Sequence, residues 1–144
     1  MRSIEFRGKF KKTGKWAYGD LVHSDVGYYI FPLNMEPMGL VLKEDVVVIT
    51  ETIGQFTGVY DRKNRKIYEG DIIKCRNFQD SYYVIEWDVN EVAFCAIRIP
   101  KVEYGYKVSP ITKSWIAETQ KEVIGNIHDK PELLNNPELL KTSI

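Results

Sequence analysis

"GQFTGVYDRKNRKIYEGDIIKC", Gly54 to Cys75, decides how the fold of this chain is read. A glycine-threonine segment leads into a basic turn, and Gly70-Asp71 then opens an apolar run, which is the grammar of strand, turn and strand. Gly54, Gly58 and Gly70 read as corner residues, because a glycine before a strand permits a bulge or a positive φ that re-aims the chain. Asp71 can accept hydrogen bonds from backbone amides at the bend. Phe56, Ile67, Tyr68, Ile72 and Ile73 are expected to pack around these corners, so the stretch is read as the corner of a small barrel rather than as a binding loop.

Working outward toward the N-terminus, Ile4, Phe6, Gly8 and Phe10 alternate with Glu5, Arg7 and Lys9, the period-2 signature of a half-buried strand. "KKTGK" follows as a turn with Gly14 at positive φ, and "WAYGDLVHS" forms the second arm of a hairpin. "VGYYIFP" predicts a short strand ending at an edge proline, "LNMEPMGLVLKED" a loop, and "VVVIT", Val46 to Thr50, a continuously buried strand. Toward the C-terminus, "SYYVIEWD" and "VAFCAIRIP" flank a polar turn around Asn90 as a second hairpin, while "EYGYKVSP" and "EVIGNI" carry weaker strand patterns. The tail "DKPELLNNPELLKTSI" repeats Pro-Glu-Leu-Leu, with Asp129 and Asn136 placed as N-caps or near-caps for one or two short helical turns.

These patterns predict a mainly β chain with almost no helix, built as a small barrel or a pair of packed sheets. One domain over residues 1–140 is expected, with subdomains 1–50 and 51–134 and a fraying tail over 135–144. "KWAYGDLV" (Lys15 to Val22) echoes "KIYEGDIIK" (Lys66 to Lys74) in its basic residue, aromatic and Gly-Asp, a strand entry common in small SH3-like barrels. The echo predicts the same corner built twice, in two related halves.

The 144 residues carry 20 basic and 20 acidic side chains, so no global field holds the protein on nucleic acid or an anionic membrane. Cys75 and Cys95 sit inside apolar runs and read as buried free thiols, which implies a reducing compartment. "MRSIEFRGKF" lacks the apolar core of a signal peptide and no apolar run is long enough to span a membrane, so a cytoplasmic, soluble protein is expected. His23 and His128 have no Cys or carboxylate at zinc-like spacing, so neither a metal nor another cofactor is expected. Glu86 and Asp88 fall on one side of a regular strand, and such a carboxylate pair can serve hydrolysis or bind a divalent cation, but no acid partner or nucleophile-base pair accompanies them, and no catalytic residue is assigned.

Binding is the better class. A protein partner from host or phage, or self-association, suits the exposed strand edges and the many tyrosines and tryptophans. The alternative is a nucleic-acid-binding regulator using the basic N-terminal hairpin. Arg7, Lys9, Lys11, Lys12 and Lys15 would meet phosphates and Trp16 and Tyr18 would stack on bases, joined by Arg62, Lys63, Arg65 and Lys66.

"IGQFTGVYDRKNRKIYEGDIIKC", "EVIGNIHDKPELL" and the opening "IEFRGKFKKTGKWAYGDLV" together resemble the YopX family of phage and prophage proteins. The family shares a Gly-Gln-Phe/Tyr-Thr-Gly segment, an Ile-Tyr-Glu-Gly-Asp-Ile strand entry and a Val-Ile-Gly-Asn-Ile ending before a Pro-Glu-Leu-Leu tail. The resemblance spans nearly the whole chain apart from Pro32 to Lys43 and Pro100 to Thr119. It implies a mostly β fold with SH3-like barrel elements and a phage or prophage origin, and it implies no established enzymatic activity, since none is settled for the family. Where the family usually has Asn-Gly, this chain has Asn64-Arg65. Arg at positive φ is costly, so a different turn with only Asn64 left-handed is expected.

Overall fold

The structure is a computed structural model that describes residues 1–33, 43–76 and 80–137. Its strands are β1 (Phe6–Lys9), β2 (Trp16–Ser24), β3 (Gly27–Pro32), β4 (Gly54–Tyr60), β5 (Lys66–Tyr68), β6 (Asp71–Cys75), β7 (Ser81–Asp88), β8 (Ala93–Arg98), β9 (Lys107–Val108) and β10 (Glu122–Asn126). They form two five-stranded antiparallel sheets, ordered β3-β2-β1-β4-β5 and β10-β6-β7-β8-β9. The mainly β class read from the sequence is the class of the molecule. The chain divides into two compact units, Met1–Phe56 and Thr57–Ile144.

In the first unit, Phe6 and Phe10 pack with Leu21, Tyr28 and Ile53 around a core of Ala17, Ile30 and Val48. That is the apolar face expected of β1, but the opposite face is covered too: Glu5 and Arg7 are buried, whereas Ile4 is exposed. The expected half-buried strand is therefore enclosed on both sides. "VVVIT" also departs from expectation. Val46 and Val48 are buried and Val47 is not, and the segment makes only isolated bridges, Tyr29↔Val47 and Phe10↔Val48. Its amides and carbonyls nonetheless serve both sides. Ile30 N donates to Val46 O (2.9 Å) and Val48 N to Tyr28 O (3.0 Å), while Ile49 N donates to Lys9 O (2.8 Å). The segment thus links β3 back to the end of β1 and closes β1-β2-β3 into a small barrel-like ring. The expected loop "LNMEPMGLVLKED" lies largely outside the described residues, with a 3-10 turn at Lys43–Asp45.

The second unit is a sheet buried on both faces. Ile73, Cys75, Tyr83 and Ile85 face one cluster with Ile111 and Ile116, and Ile72, Tyr82 and Val84 face another with Ile99 and Leu133. Alternation along β6 and β7 places successive side chains in opposite cores, so both strands read as near-continuous apolar runs. The helix α1 (Lys113–Glu118) was not anticipated from the sequence: six residues are too few to show helical periodicity. Thr112 caps it by accepting from Trp115 N, and Ile116 anchors it. Burying such a side chain contributes roughly 1.5–3 kcal/mol, more than a helix this short gains from its own hydrogen bonds.

The tail forms its 3-10 turn at Pro131–Leu134 with Lys130 at the N-cap position and Asp129 one residue before it, and no side chain caps the turn. Instead Asn126 Oδ1 accepts from His128 N (3.0 Å) and Asp129 N (2.9 Å), and its amide donates to Asp129. The second Pro-Glu-Leu-Leu, which Asn136 was expected to cap, extends beyond the described residues.

The Gly-Asp echo is not a structural repeat. Gly70 has φ +87 in the turn between β5 and β6, and Asp71, which is buried, accepts from Tyr68 N at 2.8 Å. Gly19 lies in mid-strand opposite Pro32, and Asp20 beside it is exposed. What Gly19 provides is closeness: a Cβ there would stand 2.0 Å from the Phe31 carbonyl oxygen. Similar words therefore meet different steric demands.

Candidate functional site

The basic turn between β4 and β5 is built from Asp61 outward. Asp61 N donates to Arg65 O and Asn64 N to Asp61 O, with Asn64 at φ +62, so only Asn64 is left-handed, as the departure from Asn-Gly suggested. The Asp61 side chain is fully buried, and each of its oxygens accepts two hydrogen bonds. Oδ1 takes Lys63 N and Arg65 N at 2.9 Å, and Oδ2 takes Arg65 Nε and Val123 N at 3.0 Å. Arg65 also donates to Val123 O at 2.7 Å, and Arg62 N donates to Lys121 O. An acidic acceptor and a basic donor on the turn thereby serve the outward N–H and C=O of Val123 in the edge strand β10, as a neighbouring strand would. Burial alone would raise the Asp61 pKa. The Val123 amide, followed by the Arg65 amide, the Arg65 guanidinium and the Lys63 amide, outweighs it and holds the carboxyl below its usual range.

Beside this clamp lies a basin of about 340 Å³ lined by Lys63, Arg65, Lys74, Arg76, Tyr82, Glu122, Val123 and Ile124. The pairings Glu122↔Lys74 and Lys74↔Tyr82 set three side chains in one row across β10, β6 and β7. Glu122 is buried. Its Oε1 accepts from Arg76 at 2.6 Å, and Lys63 Nζ lies 3.3 Å from Oε2, an ion-pair approach without hydrogen-bond geometry. Burial pushes this carboxyl up and the two cations pull it down further, leaving its pKa low. Lys74 pairs with Asp80 at 3.5 Å. The Tyr82 hydroxyl is buried without a hydrogen-bond partner.

The N-terminal basic residues are arranged differently. Arg7 is buried with its guanidinium 4.7 Å from the Trp16 ring centre, and Lys9 Nζ lies 5.3 Å from the same centre. Lys12 pairs with Asp45 at 2.8 Å, and Lys11 and Lys15 are exposed in the turn. The Trp16 ring thus already receives two cations. Of the second basic set, Lys63 and Arg65 join the basin, Arg62 is exposed, and Lys66 is half-buried in β5. Gly54 begins β4, Gly58 has φ +89 within it, and Gly70 and Asp71 form the β5–β6 corner.

Glu86 and Asp88 are each bonded to a different lysine. Lys101 bonds Glu86, and Lys107 bonds Asp88 at 2.5 Å while Asp88 Oδ1 accepts from the amides of Asn90 and Glu91 in the β7–β8 turn. These bonds, that from Lys107 foremost, lower the Asp88 pKa. His23 stacks on Tyr28 at 4.2 Å. Cys75 and Cys95 are buried free thiols, and burial raises the Cys95 pKa.

Sequence reading missed Asp61, Lys74, Arg76, Tyr82 and Glu122. Asp61 had a legible signal, an aspartate opening a turn. Arg76 and Glu122 meet across 46 positions of chain and had none.

Among the described residues no helix is long and apolar enough to cross a membrane. No curated protein matches the sequence. A crystal structure of protein EF1440 from Enterococcus faecalis is similar over 94% of this chain and 100% of that one, with a TM-score of 0.54 and 18% identity, a likeness of fold alone. The family model described as YopX protein matches residues 5–135, taking in the ring, the clamp, the basin and the tail turn, and the chain therefore belongs to the YopX family.

Proposed function

We propose that this YopX protein is a phage- or prophage-encoded accessory factor of the host cytoplasm that acts without catalysis, as a protein-interaction module. The loop from Lys101 to Tyr106 is the observation that carries this reading. Val102 is 68% exposed, Tyr104 97% and Tyr106 59%, three large side chains turned to solvent within five residues. The loop is also pinned. Lys101 bonds Glu86, Gly105 N donates to Val102 O at 3.0 Å, Arg98 N donates to Tyr106 O at 2.9 Å, and Tyr104 sits at φ +61. A loop held in shape presents its aromatic surface with less ordering entropy left to lose on binding, and tyrosine is enriched where proteins meet. The N-terminal hairpin supports nucleic acid less well, since Arg7 is buried and Trp16 already faces cations.

Affinity capture from bacterial lysate, with and without nuclease, tests this with the full chain and with a Val102→Ser/Tyr104→Ser variant. The expected result is a nuclease-resistant protein partner whose recovery falls at least about tenfold in the variant, as loss of an aromatic anchor does. Nuclease-sensitive retention, or equal recovery by both chains, would overturn the reading.

A further inference from the structure

We propose that the basin between the β4–β5 turn and β10 is a binding site for a small, multiply charged oxyanion of the phosphate class, with Glu122 as its built-in competitor. Lys63, Arg65, Lys74, Arg76 and the Glu122 carboxylate line it, against apolar walls from Val123, Ile124 and Tyr82, and although Asp61 pairs with Arg65 and Asp80 with Lys74, the four cations still outnumber the three carboxylates around them. Such walls strengthen each charge interaction relative to open water.

How the basin treats an oxyanion is already visible in Glu122, whose carboxylate is held by Arg76 at 2.6 Å and approached by Lys63 at 3.3 Å. Neither cation is exhausted. A guanidinium has five N–H donors and an ammonium three, and the Arg76 and Lys63 side chains remain 52% and 56% exposed. Arg65 is fixed by Asp61 and the Val123 carbonyl, so its outer face is positioned before any ligand arrives. A tetrahedral oxyanion offers more acceptors than one carboxylate and could bridge Lys63, Arg65 and Arg76 together, and Tyr82, whose buried hydroxyl has no hydrogen-bond partner, also lines the basin. The clustered cations around a pit fit a compact anion better than a polymer backbone, which needs charges strung along a groove. Oxyanion binding would stand whether or not the 101–106 loop engages a protein, since the two involve different substitutions.

Isothermal titration of the full chain with sodium pyrophosphate, at ionic strength held constant with sodium chloride, is the test. Saturable binding is expected, with Kd raised about tenfold or more in Lys63→Gln/Arg76→Gln and unchanged in Lys11→Gln/Lys15→Gln. Because the first variant uncovers a buried carboxylate and can unfold, Glu122→Gln supplies the opposite sign: freeing the same donors should lower Kd several-fold. Absence of binding, or a Kd indifferent to Glu122→Gln and to the basin cations, would overturn the site. A phosphoserine peptide titrated beside its unphosphorylated form separates the sources. Tighter binding of the phosphopeptide than of pyrophosphate would mean that a protein carries the anion, and the reverse that it arrives free. Single-stranded oligonucleotide binding that is tighter than either and survives Lys63→Gln/Arg76→Gln would also count against a compact site.

Discussion

The two basic turns look alike on paper and are opposite in construction. "KKTG", Lys11 to Gly14, is closed by backbone bonds from Gly14 N to Phe10 O and from Phe10 N to Lys15 O, with Gly14 at φ +73 and its lysines facing water. "DRKNR", Asp61 to Arg65, is organised around one buried carboxylate that holds three backbone amides and a guanidinium. The first turn reverses the chain and meets the neighbouring segment through one backbone bond, Lys11 N to Val47 O, and one surface ion pair, Lys12 to Asp45. In the second, charge is the fastener, because an edge strand 62 positions away needs an acceptor and a donor that the turn can bring. Basic composition therefore predicts neither exposure nor ligand contact until the counter-charges are located.

Breaking the fastener should have the largest effect. Asp61→Ala leaves three amides and a buried-side guanidinium bond without an acceptor and is expected to cost about 3–5 kcal/mol of unfolding free energy, read by urea denaturation. A loss too small to measure would show that the β10 edge is held by its other contacts.

Acid should act on the same element. Asp61 and Glu122 have folded pKa values below their unfolded ones, so the stability they add is fully present above the ordinary carboxylate range and is lost as pH falls through the lowered folded values. Stability measured from pH 7 downward should drop below about pH 4, and Asp61→Asn should flatten that slope. An unchanged slope in the variant would place the acid sensitivity elsewhere.

Smaller effects separate the backbones of the turns. Gly14→Ala forces a side chain to φ +73 with nothing crowding its Cβ and should cost about 1–2 kcal/mol from conformation alone. Asn64→Ala at φ +62 should cost about 1 kcal/mol, and Asn64→Gly should be tolerated. Lys12→Ala removes a solvent-facing ion pair and is expected to leave the thermal midpoint unmoved, since such pairs contribute little. A clear loss there would mean that the first turn is also fastened by charge.

By itself the sequence determined the β class, most strands, the left-handed Asn64 and the family, because strand alternation, β-branched runs and turn residues are local and are written where they act. β6 and β7 were legible from their apolar runs, Ile72-Ile73 and Tyr82 to Ile85, since strand segments buried on both faces read as near-continuous apolar sequence. The Gly-Asp echo misled because three residues specify a turn only together with what packs on them: Gly19 answers to the Phe31 carbonyl and Gly70 to its own φ. α1 escaped because a helix of six residues is chosen by the core that Ile116 enters, not by its own periodicity. Only tertiary structure decided that Arg7 would be buried, that Arg65 would fasten β10, and that Lys63, Lys74 and Arg76 would gather around Glu122. These facts depend on which strands become neighbours, and long-range pairing sets that through contacts whose partners leave no mark near one another in the chain.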